Sequence, residues 1–151
     1  MDTNRASNAL SVEDSIRIAA PAGTVWAVIR DFGALQAWHP AVEASPADQG
    51  NTIGSMRRLA LQGGGALVET LEEHDDTQMR FTYRAADGGA LPVTGYRSTL
   101  QVLEDGKGTQ VRWNGSFAAA PGSTDDAALV VIRGVYRSGL EHLKQLCEAK
   151  G

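Results

Sequence analysis

The segment Ala127–Ala149, AALVVIRGVYRSGLEHLKQLCEA, decides how the rest of the chain must fold. Leu129, Ile132, Tyr136, Leu140, Leu143 and Cys147 recur at spacings of three and four, one continuous apolar stripe along a helix. Ser123-Thr124-Asp125-Asp126 supplies N-cap candidates and acids for its positive end. Gly134 and Gly139 weaken such a helix by up to about 1 kcal/mol each, so a close packing partner is expected at both. A stripe this long needs a broad apolar surface to cover it.

Working back towards the N-terminus, the sequence supplies that surface as a meander of strands. Thr109–Ala118 and Thr94–Leu103 flank Asp105-Gly106-Lys107-Gly108, a strong hairpin turn. Gln78–Arg84, Ala66–Glu73 and Ile53–Leu61 come before them, separated by Asp75-Asp76-Thr77 and Gly63-Gly64-Gly65. Ala41–Ser45 offers a short strand and Ser11–Ala20 a first one. Pro21 opens a helix carrying Val25, Trp26, Val28 and Ile29, with one more helical turn at Ala34–Trp38. The class is α+β: a curved antiparallel sheet of six to seven strands wrapped around a long C-terminal helix, with two short helices after the first strand. Residues 1–10 read as a flexible tail and 11–151 as a single domain.

Composition narrows the function. The chain has 151 residues, a net charge of −4 and 42% hydrophobic residues, enough for one packed core. An acidic balance without a basic cluster speaks against nucleic acid. No apolar run approaches the roughly 20 residues that span a bilayer, so no membrane insertion is expected. The single Cys147 rules out an internal disulfide and suits a reducing cytoplasm. Seventeen glycines stand beside only nine aromatics, which raises the question of how fully the interior is filled.

Strand alternation and turn centres place particular residues together. A turn centred on Gly63 sets Arg57 opposite Glu69, with Leu59, Leu61, Leu67 and Leu71 on the same face. A turn centred on Asp76 sets Glu69 opposite Tyr83, with Met79 and Phe81 beside it. The Asp105–Gly108 turn pairs Tyr96 with Phe117, Ser98 with Gly115 and Leu100 with Trp113. One row then crosses the inward face: Arg57, Glu69, Tyr83, Tyr96, Phe117. A solid core does not ordinarily bury Arg and Glu, because each ion costs several kcal/mol to desolvate. A ligand pocket has this composition, although a structural ion pair at a solvated sheet end is the competing reading.

The sequence holds no nucleophile elbow, Walker loop or dinucleotide fingerprint, and no cofactor is expected. His39, His74 and His142 lack metal-ligand spacing, so no metal is expected either. His74 reads as solvated in an acidic turn and His142 as exposed. His39, between Trp38 and Pro40, reads as a satisfied structural histidine near an entrance. Cys147 reads as a buried, inert thiol.

Several ordered motifs carry a resemblance. They are Ala20-Pro21-Ala22-Gly23-Thr24-Val25-Trp26, Trp38-His39-Pro40, Ile53-Gly54-Ser55-Met56-Arg57, Glu69-Thr70-Leu71-Glu72, Leu91-Pro92-Val93, Tyr96-Arg97-Ser98-Thr99-Leu100 and Val111-Arg112-Trp113. Together, from about Val12 to Leu146, the chain resembles the START-like, or SRPBCC, superfamily with its helix-grip fold, and within it the bacterial polyketide cyclase/dehydrase-like group. The plant abscisic-acid receptors are similar too. In them, positions matching Glu69, Tyr83 and Tyr96 line the hormone cavity. The chain departs from them at the gate loop, where it has Gly63-Gly64-Gly65. It departs again at about Val42, where they carry the lysine that pairs with the hormone carboxylate.

Two functions follow as expectations. The first is binding or transport of a small hydrophobic or aromatic, lipid- or polyketide-like, molecule. Trp38, Leu59, Leu67, Phe81, Leu100, Trp113, Phe117, Ile132 and Tyr136 would form the walls, and Arg57, Glu69, Tyr83 and Tyr96 would orient the polar end. Gly63–Gly65, Gly88–Pro92 and Trp38-His39 would form the mouth. The second is a cyclase or dehydratase with Glu69 as general base and Tyr83 or Tyr96 as donor. A docking role on protein partners has no defensible apolar patch in the sequence.

Overall fold

The computed structural model describes residues 9–150. Seven strands form a single antiparallel sheet: β1 (Leu10–Ile18), β2 (Val42–Ala44), β3 (Met56–Leu61), β4 (Ala66–Asp75), β5 (Arg80–Asp87), β6 (Val93–Asp105) and β7 (Gly108–Ala119). Their order across the sheet is β1-β7-β6-β5-β4-β3-β2, so every neighbour is a sequence neighbour except β1, which closes onto β7. Helix α1 (Ala22–Ile29) and a 3-10 helix (Phe32–Ala37) follow β1, and the long helix α2 (Asp125–Lys150) ends the chain. This is the helix-grip arrangement. The tail expected over residues 1–8 lies outside the described residues, while Leu10 already pairs with Phe117 in β1.

The long helix begins as its sequence requires. The Ala127 amide donates to Thr124 Oγ1 at 3.0 Å, and Asp125 and Asp126 occupy the first turn. Ile132, Tyr136, Leu140, Leu143 and Cys147 are fully buried against the concave face of the sheet. Arg137 ties the helix to β1 through Asp14, its Nε donating to Oδ2 at 3.0 Å. The two helical glycines differ, contrary to the expectation of a partner for both. A Cβ at Gly139 would lie 2.5 Å from His39 Cδ2 and 3.0 Å from Trp113, whereas Gly134 has no neighbour within 4 Å.

Registers in the sheet agree with the turn-centre reading at two hairpins and depart from it at two bulges. Arg57 stands opposite Glu69, Ser98 opposite Gly115 and Leu100 opposite Trp113. Tyr83, however, stands opposite Leu71 rather than Glu69. The β4–β5 turn is longer than its Asp-rich core suggests, because Asp75 Oδ1 accepts from both Thr77 and Gln78 amides and delays the return to Arg80. Met79 lies in that turn at φ 55°, outside the strand. A bulge between Leu71 and Glu73 then removes one residue from the ladder. The shift is two residues in all, so Glu69 and Tyr83 still share the inward face. A second bulge between Thr94 and Arg97 takes Tyr96 out of its expected pairing with Phe117, although their rings remain 6.1 Å apart.

Candidate functional site

The inward face of the sheet carries a buried ion pair and a buried hydroxyl cluster. Arg57 and Glu69 are 1% and 3% exposed, and Arg57 Nε donates to Glu69 Oε1 at 2.8 Å. Arg57 Nη2 touches the same oxygen at 2.7 Å without a well-directed hydrogen bond, and Nη1 donates to the Phe32 carbonyl at 2.8 Å. The guanidinium also lies 4.1 Å from the Phe32 ring centre and 4.7 Å from that of Tyr83. The cation is therefore held by one carboxylate oxygen, one carbonyl and two ring faces. Burial pushes the Glu69 carboxyl above its ordinary range, against the pull of Arg57.

Beside this pair, Tyr83, Tyr96, Ser98, Trp113 and Tyr136 join their polar atoms. The Tyr96 and Tyr136 hydroxyls are 2.7 Å apart, and Tyr136 lies 2.9 Å from Ser98 Oγ. Ser98 in turn donates to the Asn114 carbonyl at 2.9 Å. Trp113 Nε1 donates towards Ser98 Oγ at 3.0 Å and Tyr83 Oη at 3.2 Å, while Tyr83 and Tyr96 are separated by 3.4 Å. Trp113 stacks on Tyr136 with ring centres 4.4 Å apart, so the cluster bridges sheet and helix. Burial pushes the Tyr83 phenol up to about 12 and raises Tyr96 and Tyr136 well above the ordinary phenol value, so all three are hydroxyl donors at neutral pH.

Between this face, α2 and the loops lies a cavity of about 290 Å³. Of the residues singled out from sequence, Leu59, Leu67, Glu69, Tyr83, Tyr96 and Trp113 line it. Trp38, Arg57, Phe81, Leu100, Phe117, Ile132 and Tyr136 do not; they are buried in the surrounding core, and Arg57 stands behind Glu69. Alternation along a strand finds the inward face but cannot tell cavity wall from packed core. The expected mouth loops do reach the wall, through Gly64 from β3–β4 and Ala90 and Leu91 from β5–β6. These loops meet: the Ala90 amide donates to the Ala66 carbonyl at 3.1 Å, and a Cβ at Gly89 would overlap that same carbonyl.

The rest of the wall is Leu61, read from sequence as inward-facing but not as a ligand contact, Val42, met there only as the position of the receptors' lysine, and four residues that escaped sequence reading. Those are Leu35 and Ala41 from the segment after α1, Gln62 just past β3, and Val135 from the flank of the α2 stripe. The hydrophobic step from Gly134 to Tyr136 was the available signal for Val135. His39 lines the cavity and is also satisfied: Nε2 donates to the Val135 carbonyl at 2.8 Å, and Nδ1 accepts from the Ala41 amide at 3.1 Å. Desolvation lowers its pKa, which keeps it neutral. Two histidines correct the sequence expectation. His74 is half-buried, stacked on Phe81 and bonded to the Arg30 carbonyl at 2.7 Å. His142 is half-buried too, with Nδ1 2.9 Å from the Trp38 carbonyl. Among the described residues, no group of three His, Cys, Asp or Glu is placed to hold a metal, and no helix is long and apolar enough to cross a membrane.

A family model described as polyketide cyclase / dehydrase and lipid transport matches residues 9–148. The protein XoxI of Bacillus cereus is 30% identical, with 91% of this chain and 94% of that chain aligned at a TM-score of 0.82. A Thermobifida fusca protein solved by NMR is also 30% identical, covering 92% of this chain and 93% of its own at a TM-score of 0.78. Ara h 8.0201 shares only 10% identity but covers 93% of this chain and 99% of its own at a TM-score of 0.75, a likeness of fold alone.

Proposed function

The chain belongs to the family described as polyketide cyclase / dehydrase and lipid transport, within the START-like superfamily, and from that premise we propose that it binds or carries a small apolar molecule in the cavity between sheet and α2. One observation carries the reading: aliphatic and aromatic walls converge on a few polar side chains deep in the fold, Glu69, Tyr83 and Tyr96 beside the satisfied His39. Pockets of this makeup take hydrophobic ligands and fix their orientation with a few polar groups. At about 290 Å³ the space stands at the small end of ligand pockets.

The test is denaturing mass spectrometry of protein purified from its host, for the wild type and for Val135→Trp, which fills the wall. A small molecule retained by the wild type and lost from the variant supports the reading. The same molecule retained by both would place its site elsewhere.

A second reading, proton abstraction by Glu69, draws on the burial that raises its carboxyl. The guanidinium 2.7 Å away opposes it, as a close cation disfavours the proton-accepting role. A turnover rate that does not change between about pH 4 and 8 would remove this reading.

A further inference from the structure

The hydroxyl cluster has only one consistent way to place its protons, and that fixes what the cavity asks of a ligand. The Asn114 carbonyl can only accept, so the Ser98 hydroxyl donates to it. Ser98 Oγ must then accept from Tyr136 at 2.9 Å. With its proton committed, Tyr136 accepts from Tyr96 at 2.7 Å. With that proton committed too, Tyr96 can only accept from Tyr83, and the 3.4 Å separation makes this the weak end of the chain. Trp113 Nε1, a donor only, faces the oxygens of Ser98 and Tyr83, consistent with both accepting. The Tyr83 hydroxyl is therefore the one proton of the cluster without a short acceptor, and it lies on the cavity wall.

Glu69 supplies the complement. Its hydrogen bond to Arg57 engages Oε1, and none engages Oε2 among the described residues. The described wall contains no lysine or arginine, and His39 has spent both ring nitrogens. Arg57 is neutralised by Glu69 and stands behind it, so an entering anion would meet the carboxylate first.

Resting on the binding reading above, we infer that the cavity selects an uncharged apolar molecule bearing a hydroxyl, which accepts from Tyr83 and donates to Glu69 Oε2, and that it rejects carboxylates. A ketone or ether would accept from Tyr83 but leave the buried carboxylate oxygen unsatisfied. A carboxylate would bring a second negative charge beside Glu69 with no free cation to meet it.

Three probes of one shape test this at pH 7: 2-naphthol, 2-methoxynaphthalene and 2-naphthoate, titrated by quenching of tryptophan fluorescence and checked by calorimetry. The expected order is naphthol first, by about tenfold or more over the methoxy compound, the effect of one hydrogen bond to a charged group. Naphthoate is expected to bind most weakly. In Tyr83→Phe, naphthol and the methoxy probe, which both accept from Tyr83, should weaken together by several-fold while the advantage of naphthol, which comes from Glu69 Oε2, is kept. Equal binding of naphthol and the methoxy compound, or tighter binding of naphthoate, overturns the inference and leaves the apolar cavity standing. Failure of all three probes to bind overturns the binding reading, and the inference with it.

Discussion

The Tyr136 hydroxyl occupies a space over β7 that exists because residue 115 is glycine. A Cβ there would overlap the hydroxyl and come within 3.1 Å of the Tyr96 ring. Gly115→Ala should cost about 1–3 kcal/mol through overpacking. In a Tyr136→Phe background the same change should cost less, because the colliding atom is gone. Urea titrations of the four proteins in this cycle check the coupling. Strict additivity would mean that the two residues do not share that space.

The two glycines of α2 should respond to alanine with opposite signs. Gly134 is exposed with no neighbour within 4 Å, so Gly134→Ala should stabilise by up to about 1 kcal/mol through helix propensity alone. Gly139→Ala gains the same propensity but drives a methyl to 2.5 Å from the His39 ring. A net loss of about 1–3 kcal/mol is expected. Thermal melts of both variants decide it, and a rise in Tm for Gly139→Ala would show that the His39 contact yields readily.

Arg57 and Glu69 are buried as a pair, so removing one partner should be worse than removing both. Arg57→Met is expected to cost about 3–5 kcal/mol, and the Arg57→Met/Glu69→Leu double variant less than the sum of its parts. The pH dependence carries a sign. Burial raises Glu69 above its ordinary 4.5 in the folded state, so its contribution is fully present below 4.5 and is lost as pH rises through the folded value. Without Arg57 the carboxyl rises further. The single variant should therefore lose stability relative to wild type as pH climbs from 4.5 towards neutrality, measurable by denaturant titration at several pH values.

His39 should titrate in the opposite sense. Its folded value is depressed below the ordinary 6.5 by desolvation, so its contribution is present above 6.5 and lost as pH falls through the folded value. Protonation would place a second donor against the Ala41 amide and break that bond. Imidazole NMR should find His39 neutral, with Nε2 protonated, at pH 6.5. A half-protonated ring at or above that pH would contradict the geometry.

Position in the sheet was legible wherever a tight turn or strict alternation fixed it locally. The Asp105–Gly108 turn set Ser98 against Gly115, and the glycine run set Arg57 against Glu69. The inward row survived even where a register did not, because the β4–β5 shift came to two residues and kept the faces. The apolar stripe of α2 was equally plain, since its period belongs to the helix itself.

Which inward residues face empty space was not legible. Leu59 and Leu100 are both buried leucines on the same face, yet only Leu59 lines the cavity. The difference depends on what stands over each one: His39, Val135 and Leu91 arrive from three separate parts of the chain. Alternation and turn chemistry act over a few residues and so are written in the sequence. The seventeen glycines and nine aromatics only hinted at an interior that is not filled. Tertiary packing decided where the space lies, and the proton order from Ser98 to Tyr83 decided what it offers a ligand.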